Sequence, residues 1–503
     1  MKVQCFIRLA TNLGLKVSTV FTLLAVLPPT CICAAGRVVT YPAPPGEQLS
    51  ADYVLEVDGR PLDVYLARFN EPPREQDFAV KGPGPSPVGQ WPEWPRSSPT
   101  SSYSFVQFDF SGTVNVKVHA PNRVLKRTII LPLSKRVKFS AVDANTITIT
   151  LNKPCQLSVE PEGKRQPLLI FANPLEENVP KQGDPNILYF GPGIHRPEGG
   201  IIKLTSNQTL YVAGGAIIEG AIVADAAENV VIRGRGIISG NPWMWSKGPQ
   251  DGMLALRRCR NVTVEGLVLR GSWGWTLVPS ACENVRITNL KICNARVTND
   301  DGIDLVNSRH VVIRECFVRT DDDCIALKGL DREWGNVDDI QIEDCVLWCD
   351  RARVTLLGHE SRAEKMQNIV YRNLDVIHFG EWPVFLLEPG ENMQLQNVSF
   401  ENIRINGEGQ DKIAIIRPII NQFMTDKTFG HIRDIMFKDV DVQGQPGKYH
   451  IIIEGGSIEC RTAGISFDNV RIRGEVLTRD SLRVVFGHSG SNYVENGTVK
   501  FAK

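Results

Sequence analysis

The sequence predicts an all-β protein, a right-handed parallel β-helix preceded by a β-sandwich domain, on two observations. From about residue 187 onward, short apolar triplets recur at intervals close to one coil of such a helix. Before that, alternating apolar and polar segments are separated by proline and glycine clusters. The expected boundaries are a leader over 1–35, a sandwich over 36–180 and the β-helix over 181–503, which carries the candidate site.

The leader reads as a secretory signal. Lys2, Arg8 and Lys16 precede the apolar run Val17–Leu27, and Cys33-Ala34-Ala35 supplies small residues at the exit. The run is too short for an ordinary membrane span, and no other segment approaches that length. The expected location is therefore secreted or periplasmic. Lys+Arg and Asp+Glu both number 56, so no global field draws nucleic acid or an anionic membrane, and a polyanionic substrate would need a local basic patch. Of twelve cysteines, Cys5, Cys31 and Cys33 fall in the leader. The remaining nine cannot all pair, and Cys316 and Cys345 fall at matching places in the repeat, as stacked core positions. No cysteine or histidine spacing suits zinc, and no metal or other cofactor is expected.

In the sandwich, Ser104–Ser111, Val114–Val118 and Thr146–Leu151 alternate with period two, and Pro83-Gly-Pro-Gly-Pro-Ser-Pro87 interrupts the pattern between strands. The helix repeat begins its triplets after Asn229, Asn261, Asn284, His310, Asp339, Asn368, Asn397, Asp434 and Gly464, with three intervals of 29 residues. Each is followed by a second strand, as in Leu267-Val-Leu, Cys316-Phe-Val and Ile403-Arg-Ile. The irregular period and the lack of a leucine consensus set aside a leucine-rich repeat, and no blade motif supports a propeller. Asn261-Val-Thr and Asn397-Val-Ser match a glycosylation acceptor, but within the repeat stacked, turn-forming asparagine is the better account.

Carboxylates crowd two neighbouring stretches, Thr298-Asn-Asp-Asp-Gly-Ile-Asp304 and Arg319-Thr-Asp-Asp-Asp-Cys-Ile-Ala-Leu-Lys-Gly329. Adjacent negative charges raise one another's pKa, so crowding needs a reason. Asp322 and Asp323 follow Asp301 by 21 and 22 residues, one coil, which places the three side by side. Inverting glycoside hydrolysis uses such a set, a protonated acid and a carboxylate about 6.5–9.5 Å away that activates water. A calcium site or a solvated acidic turn is the competing account, and the better one for Asp300, Asp304 and Asp321 individually.

Asn299-Asp-Asp301-Gly-Ile-Asp and Asp322-Asp-Cys-Ile-Ala-Leu-Lys-Gly resemble the two aspartate motifs of the polygalacturonase clan, glycoside hydrolase families 28 and 49, whose fold is the pectin-lyase-like β-helix. The resemblance implies Asp322 as general acid, with Asp301 and Asp323 positioning and deprotonating the attacking water. The motif spacing is that of family 28. The family's Gly-His-Gly and Arg-Ile-Lys motifs are not present as such: their places read Asp350-Arg-Ala-Arg-Val-Thr-Leu-Leu-Gly-His-Glu360 and Pro383-Val-Phe-Leu-Leu387. Leu168–Pro174, Ile187–Gly193, Leu357-Gly-His-Glu-Ser-Arg362, Asp375-Val-Ile-His378 and Ile416–Gln422 are similar instead to the dextranase and isopullulanase family 49, which also sets a sandwich before its helix.

Four further residues are candidates for substrate binding. Lys328 lies five residues past Asp323, His359 and His378 fall on successive coils, and Arg417 can reach a sugar or pair with a carboxylate. Among Trp243, Trp245, Trp273 and Trp275, at least one is expected to stack on a sugar ring. The function these residues predict is a secreted glycoside hydrolase, expected as a monomer, acting on the α-links of a polysaccharide. A β-helix polysaccharide lyase and a non-catalytic carbohydrate-binding β-helix are the alternatives.

Overall fold

A computed structural model describes residues 36–71, 101–380, 382–487 and 493–502. The expected leader and the proline-rich stretch at 83–87 lie outside the described residues. Among the described residues, helix is confined to single 3-10 turns, and no helix is long and apolar enough to cross a membrane.

The first described third forms a six-stranded and a five-stranded sheet. Pairing is antiparallel, except that Ser101–Ser111 and Leu168–Pro174 run parallel. The period-two pattern acts as read: in Val114–His119 the valines are buried and the residues between them exposed. Inward residues of both sheets, among them Val106, Phe108, Val116, Ile149, Leu157 and Ile170, form one shared core.

From Ile187 onward the chain winds into a parallel coil, with an 11-stranded sheet on one side and a 21-stranded sheet that takes two strands from most coils and a single long strand at Lys365–His378, Gln394–Glu408 and His431–Gln445. The nine triplets stack in register, from Val230 through Val262, Val285, Val311, Ile340, Ile369, Val398 and Ile435 to Ile465. Every residue just before a triplet has a left-handed backbone, from Asn397 at φ 53 to Gly464 at φ 67. Asparagine and aspartate tolerate that region and glycine enters it freely, which explains their recurrence. The asparagine amides also bond from coil to coil, Asn261 to Asn229 at 3.1 Å and Asn397 to Asn368 at 2.6 Å. Inside the coil, Tyr371, Phe400, Phe437, Phe467 and Phe501 stack at 4.9–5.3 Å between ring centres.

Outer residues of the second strands, including Val268, Phe317, Val346, Trp348 and Ile377, pack against Tyr65, Tyr103, Phe105, Leu169 and Phe171 of the first sheets. Buried ion pairs cross the same contact, Arg235 to Asp109 at 2.9 Å and Arg270 to Glu47 at 2.6 Å. This contact occupies one side of the coil, so an open site must lie on another. The nine described cysteines are all free thiols, and Cys316 and Cys345 are buried in the interior one coil apart, with the Cys316 N–H 3.4 Å from the Cys345 sulfur.

Candidate active site

The strands Ile303–Val306, Ile325–Lys328 and Thr355–Gly358 lie side by side in the 11-stranded sheet, with Ile303, Ile325 and Thr355 in register. Counting back two residues puts Asp301, Asp323 and Arg353 at one level on three successive coils. Main-chain bonds continue to that level, Gly302 N–H to Asp323 O at 2.8 Å and Cys324 N–H to Arg353 O at 3.0 Å. The spacing of one coil thus becomes adjacency, because parallel neighbours stand about 4.8 Å apart.

Asp301, Asp322 and Asp323 offer carboxylate oxygens that all lie within 4.8 Å of one another, and the residues are 2%, 7% and 1% exposed. That separation lets two of them hold one water by two ordinary hydrogen bonds, or share one cation. Asp322 accepts from Asn299 Nδ2 at 3.2 Å and from the N–H of Asp323 at 3.0 Å. Asp323 accepts from the N–H of Arg353 at 3.1 Å and from Arg353 Nη2 at 2.9 Å. Asp301 faces Lys328 at 3.4 Å, and its Oδ1 has no hydrogen-bond donor among the described residues.

Lys328 also meets Asp304 at 3.1 Å and Glu360 at 3.2 Å, and it lies 3.7 Å from the centre of the Trp275 ring. The other two clustered aspartates have structural partners. Asp300 accepts from the N–H groups of Arg296, Val297 and Asp321, which ties the two aspartate turns together across coils. Asp321 pairs with Arg351.

Burial governs the electrostatics. It pushes the Asp301 carboxyl well above its usual range, with Asp304 and Asp322 adding to the effect. Burial also raises Asp323 to about 7 and Asp304 to about 6, against the opposing pull of Arg353 and Lys328 respectively. Burial opposes the charge on Lys328, but Asp304, Asp301 and Glu360 together hold its pKa well above normal. Burial and crowding thus bring Asp304 and Asp323 into the range where a carboxyl exchanges its proton near neutral pH.

The other predicted residues divide. His359 and Arg417 meet on the buried carboxylate of Glu388, at 2.7 Å each, two coils beyond Lys328 in the same strand row. His378 is elsewhere: it is buried at the end of the long strand Lys365–His378, with Nε2 2.8 Å from Glu160 of the first sheets, Nδ1 bonded to Glu408, and its ring against Trp348. The coil period gives a residue's place along the axis but not which side of the coil it faces. Trp273 is a core residue with Trp243 packed edge-on at 5.2 Å, and Trp275 is the tryptophan against Lys328. Arg353, Glu360, Asn299 and Glu388 were missed. One more coil counted from Asp323 finds Arg353.

The family model described as "Glycosyl hydrolases family 28" matches residues 198–486. Among curated proteins, isopullulanase from Aspergillus niger is 26% identical over 334 residues, covering 53% of this chain and 57% of that protein. A probable polygalacturonase from Arabidopsis thaliana is 39% identical over 106 residues, covering 20% of this chain and 23% of that one. This chain therefore spans little more than half of the first relative and about a quarter of the second. Among solved structures, Dex49A from Penicillium minioluteum superposes with a TM-score of 0.62 at 16% identity, covering 92% of this chain and 96% of that one.

Proposed function

The chain belongs to glycosyl hydrolases family 28, and we propose that it cleaves the α-glycosidic links of a polysaccharide by inversion at Asp301, Asp322 and Asp323. The observation that carries the assignment of the site is the convergence of three buried carboxylates within 4.8 Å, Asp301 and Asp323 on adjacent coils and Asp322 next to Asp323 in the chain.

Asp322 delivers the proton to the departing glycosidic oxygen. Asp301 and Asp323, on adjacent coils, hold one water between them and accept its proton as it attacks the anomeric carbon from the opposite face. Lys328, flanked by Asp301, Asp304 and Glu360, keeps negative charge tolerable in the buried cluster. His359 and Arg417, oriented by Glu388, line the strand row beyond and are assigned to the sugar on that side. The apolar run Val17–Leu27 supports export through a leader.

Pullulan, dextran and polygalacturonate incubated with the wild-type chain and with Asp322→Asn test the reading. The expected result is new reducing ends without ultraviolet-absorbing unsaturated uronates, and a loss of at least about 10³-fold in kcat for the variant. Unsaturated products would make the protein a lyase. Normal turnover by Asp322→Asn would remove the acid assignment.

A further inference from the structure

Arg353 is a nearly buried cation to which the proposed chemistry gives no role. It stands on the coil after Asp323 and holds it with two separate groups, its main-chain N–H on Oδ1 at 3.1 Å and Nη2 on Oδ2 at 2.9 Å. Nε lies 2.8 Å from the same Oδ1, and Nη1 lies 4.0 Å from Asp322. The Trp382 ring covers the guanidinium, 5.6 Å from its carbon. We propose that Arg353 is the positioning residue of the water-activating carboxylate, clamping both oxygens of Asp323 from the neighbouring coil and fixing its plane toward Asp301 and Asp322. The inference rests on reading Asp323 as a base.

A carboxyl group turns easily about its last torsion, which has only broad preferences. One donor on each oxygen stops that rotation and leaves the remaining lone pairs directed at the other carboxylates. A planar guanidinium supplies this fork, whereas an ammonium offers only a point charge. Arg353 acts electrically as well. Asp323 faces three carboxylates, Asp301, Asp304 and Asp322, and two cations, Lys328 and Arg353. Without Arg353 the balance shifts further toward negative charge, so Asp323 takes up a proton at higher pH and ceases to be a base.

The test compares Arg353→Met, Arg353→Lys, Asp323→Asn and the double variant Arg353→Met/Asp323→Asn on the polysaccharide that the wild-type enzyme cleaves. Thermal melts follow folding, and Arg353→Lys keeps the charge should Arg353→Met fold poorly. The inference expects kcat to fall about 10²-fold in Arg353→Met, the loss typical of a misplaced catalytic group, with KM within about threefold. Arg353→Lys falls between it and wild type. In Arg353→Met, which alone removes the charge, the acidic limb of kcat/KM moves to higher pH, and its double variant with Asp323→Asn is no slower than Asp323→Asn. An increase in KM at unchanged kcat would make Arg353 a substrate-binding residue and overturn the inference. An unmoved acidic limb in Arg353→Met, or a double variant whose losses multiply, would also overturn it. Normal turnover by Asp323→Asn would instead overturn the base assignment beneath it.

Discussion

Asp300 shows how a residue outside the three-aspartate set holds the two aspartate turns together. Its Oδ2 accepts from two main-chain N–H groups and its Oδ1 from a third on the neighbouring coil. An asparagine keeps the shape but points an NH2 group at donors on one side. Asp300→Asn is therefore expected to lower stability by about 1–3 kcal/mol, measured by urea unfolding, the usual penalty for a buried donor left without its acceptor. An unchanged midpoint at unchanged slope would show that the turn does not depend on this acceptor. At this scale the sequence was informative where chemistry crowds and uninformative where it is spread. Three acidic residues in a row, one coil after another pair, announce themselves. Arg353 lies 30 residues beyond Asp323, among ordinary-looking neighbours, and only the coil register reveals it.

The long strand Lys365–His378 joins the coil to the first sheets through its last residue. Burial opposes a charge on His378, but its bonds to Glu160 and Glu408 outweigh that and raise its pKa above 6.5. Burial likewise opposes ionisation of Glu408, yet His378 and Lys164 bring it down to about 2. The histidine's contribution is complete below the unfolded value of 6.5 and is lost as pH rises through the higher folded value. The glutamate's contribution is complete above 4.5 and is lost as pH falls toward 2. Both act fully between about pH 4.5 and 6.5. His378→Gln is therefore expected to lose about 2–4 kcal/mol at pH 5 and progressively less above pH 7, read by unfolding at each pH. A loss independent of pH would mean the histidine acts through packing alone. The triplets and their left-handed lead residues could be read from the string, because Asn, Asp and Gly mark that backbone conformation. Which strand of a coil meets another sheet could not, because each inward and outward alternation looks alike before a partner is known.

Across the whole molecule acidic and basic residues balance at 56 each, but in the site carboxylates outnumber cations. Lys328, Arg351, Arg353 and Arg417 are each paired with a carboxylate of the protein, as is His359. A uronate would bring its negative charge to acids already crowded beyond these cations. An uncharged polysaccharide is thus expected to be cleaved with a kcat/KM at least about 10-fold above that for polygalacturonate, a difference of ~1.4 kcal/mol. Faster cleavage of polygalacturonate would show that a cation is released to the substrate on binding. The repeat was legible because stacked coils impose one local pattern many times over. The use of the site was less so, since pairing among side chains from distant coils decides which charges remain for a ligand. The carboxylate oxygens lie within 4.8 Å of one another, closer than the roughly 6.5–9.5 Å usual between an inverting acid and its base. This makes stereochemistry the most direct test of the three-aspartate mechanism. Proton NMR of the first product released from an α-linked polysaccharide is predicted to show the β-anomer, followed by slow mutarotation. Initial release of the α-anomer would contradict it.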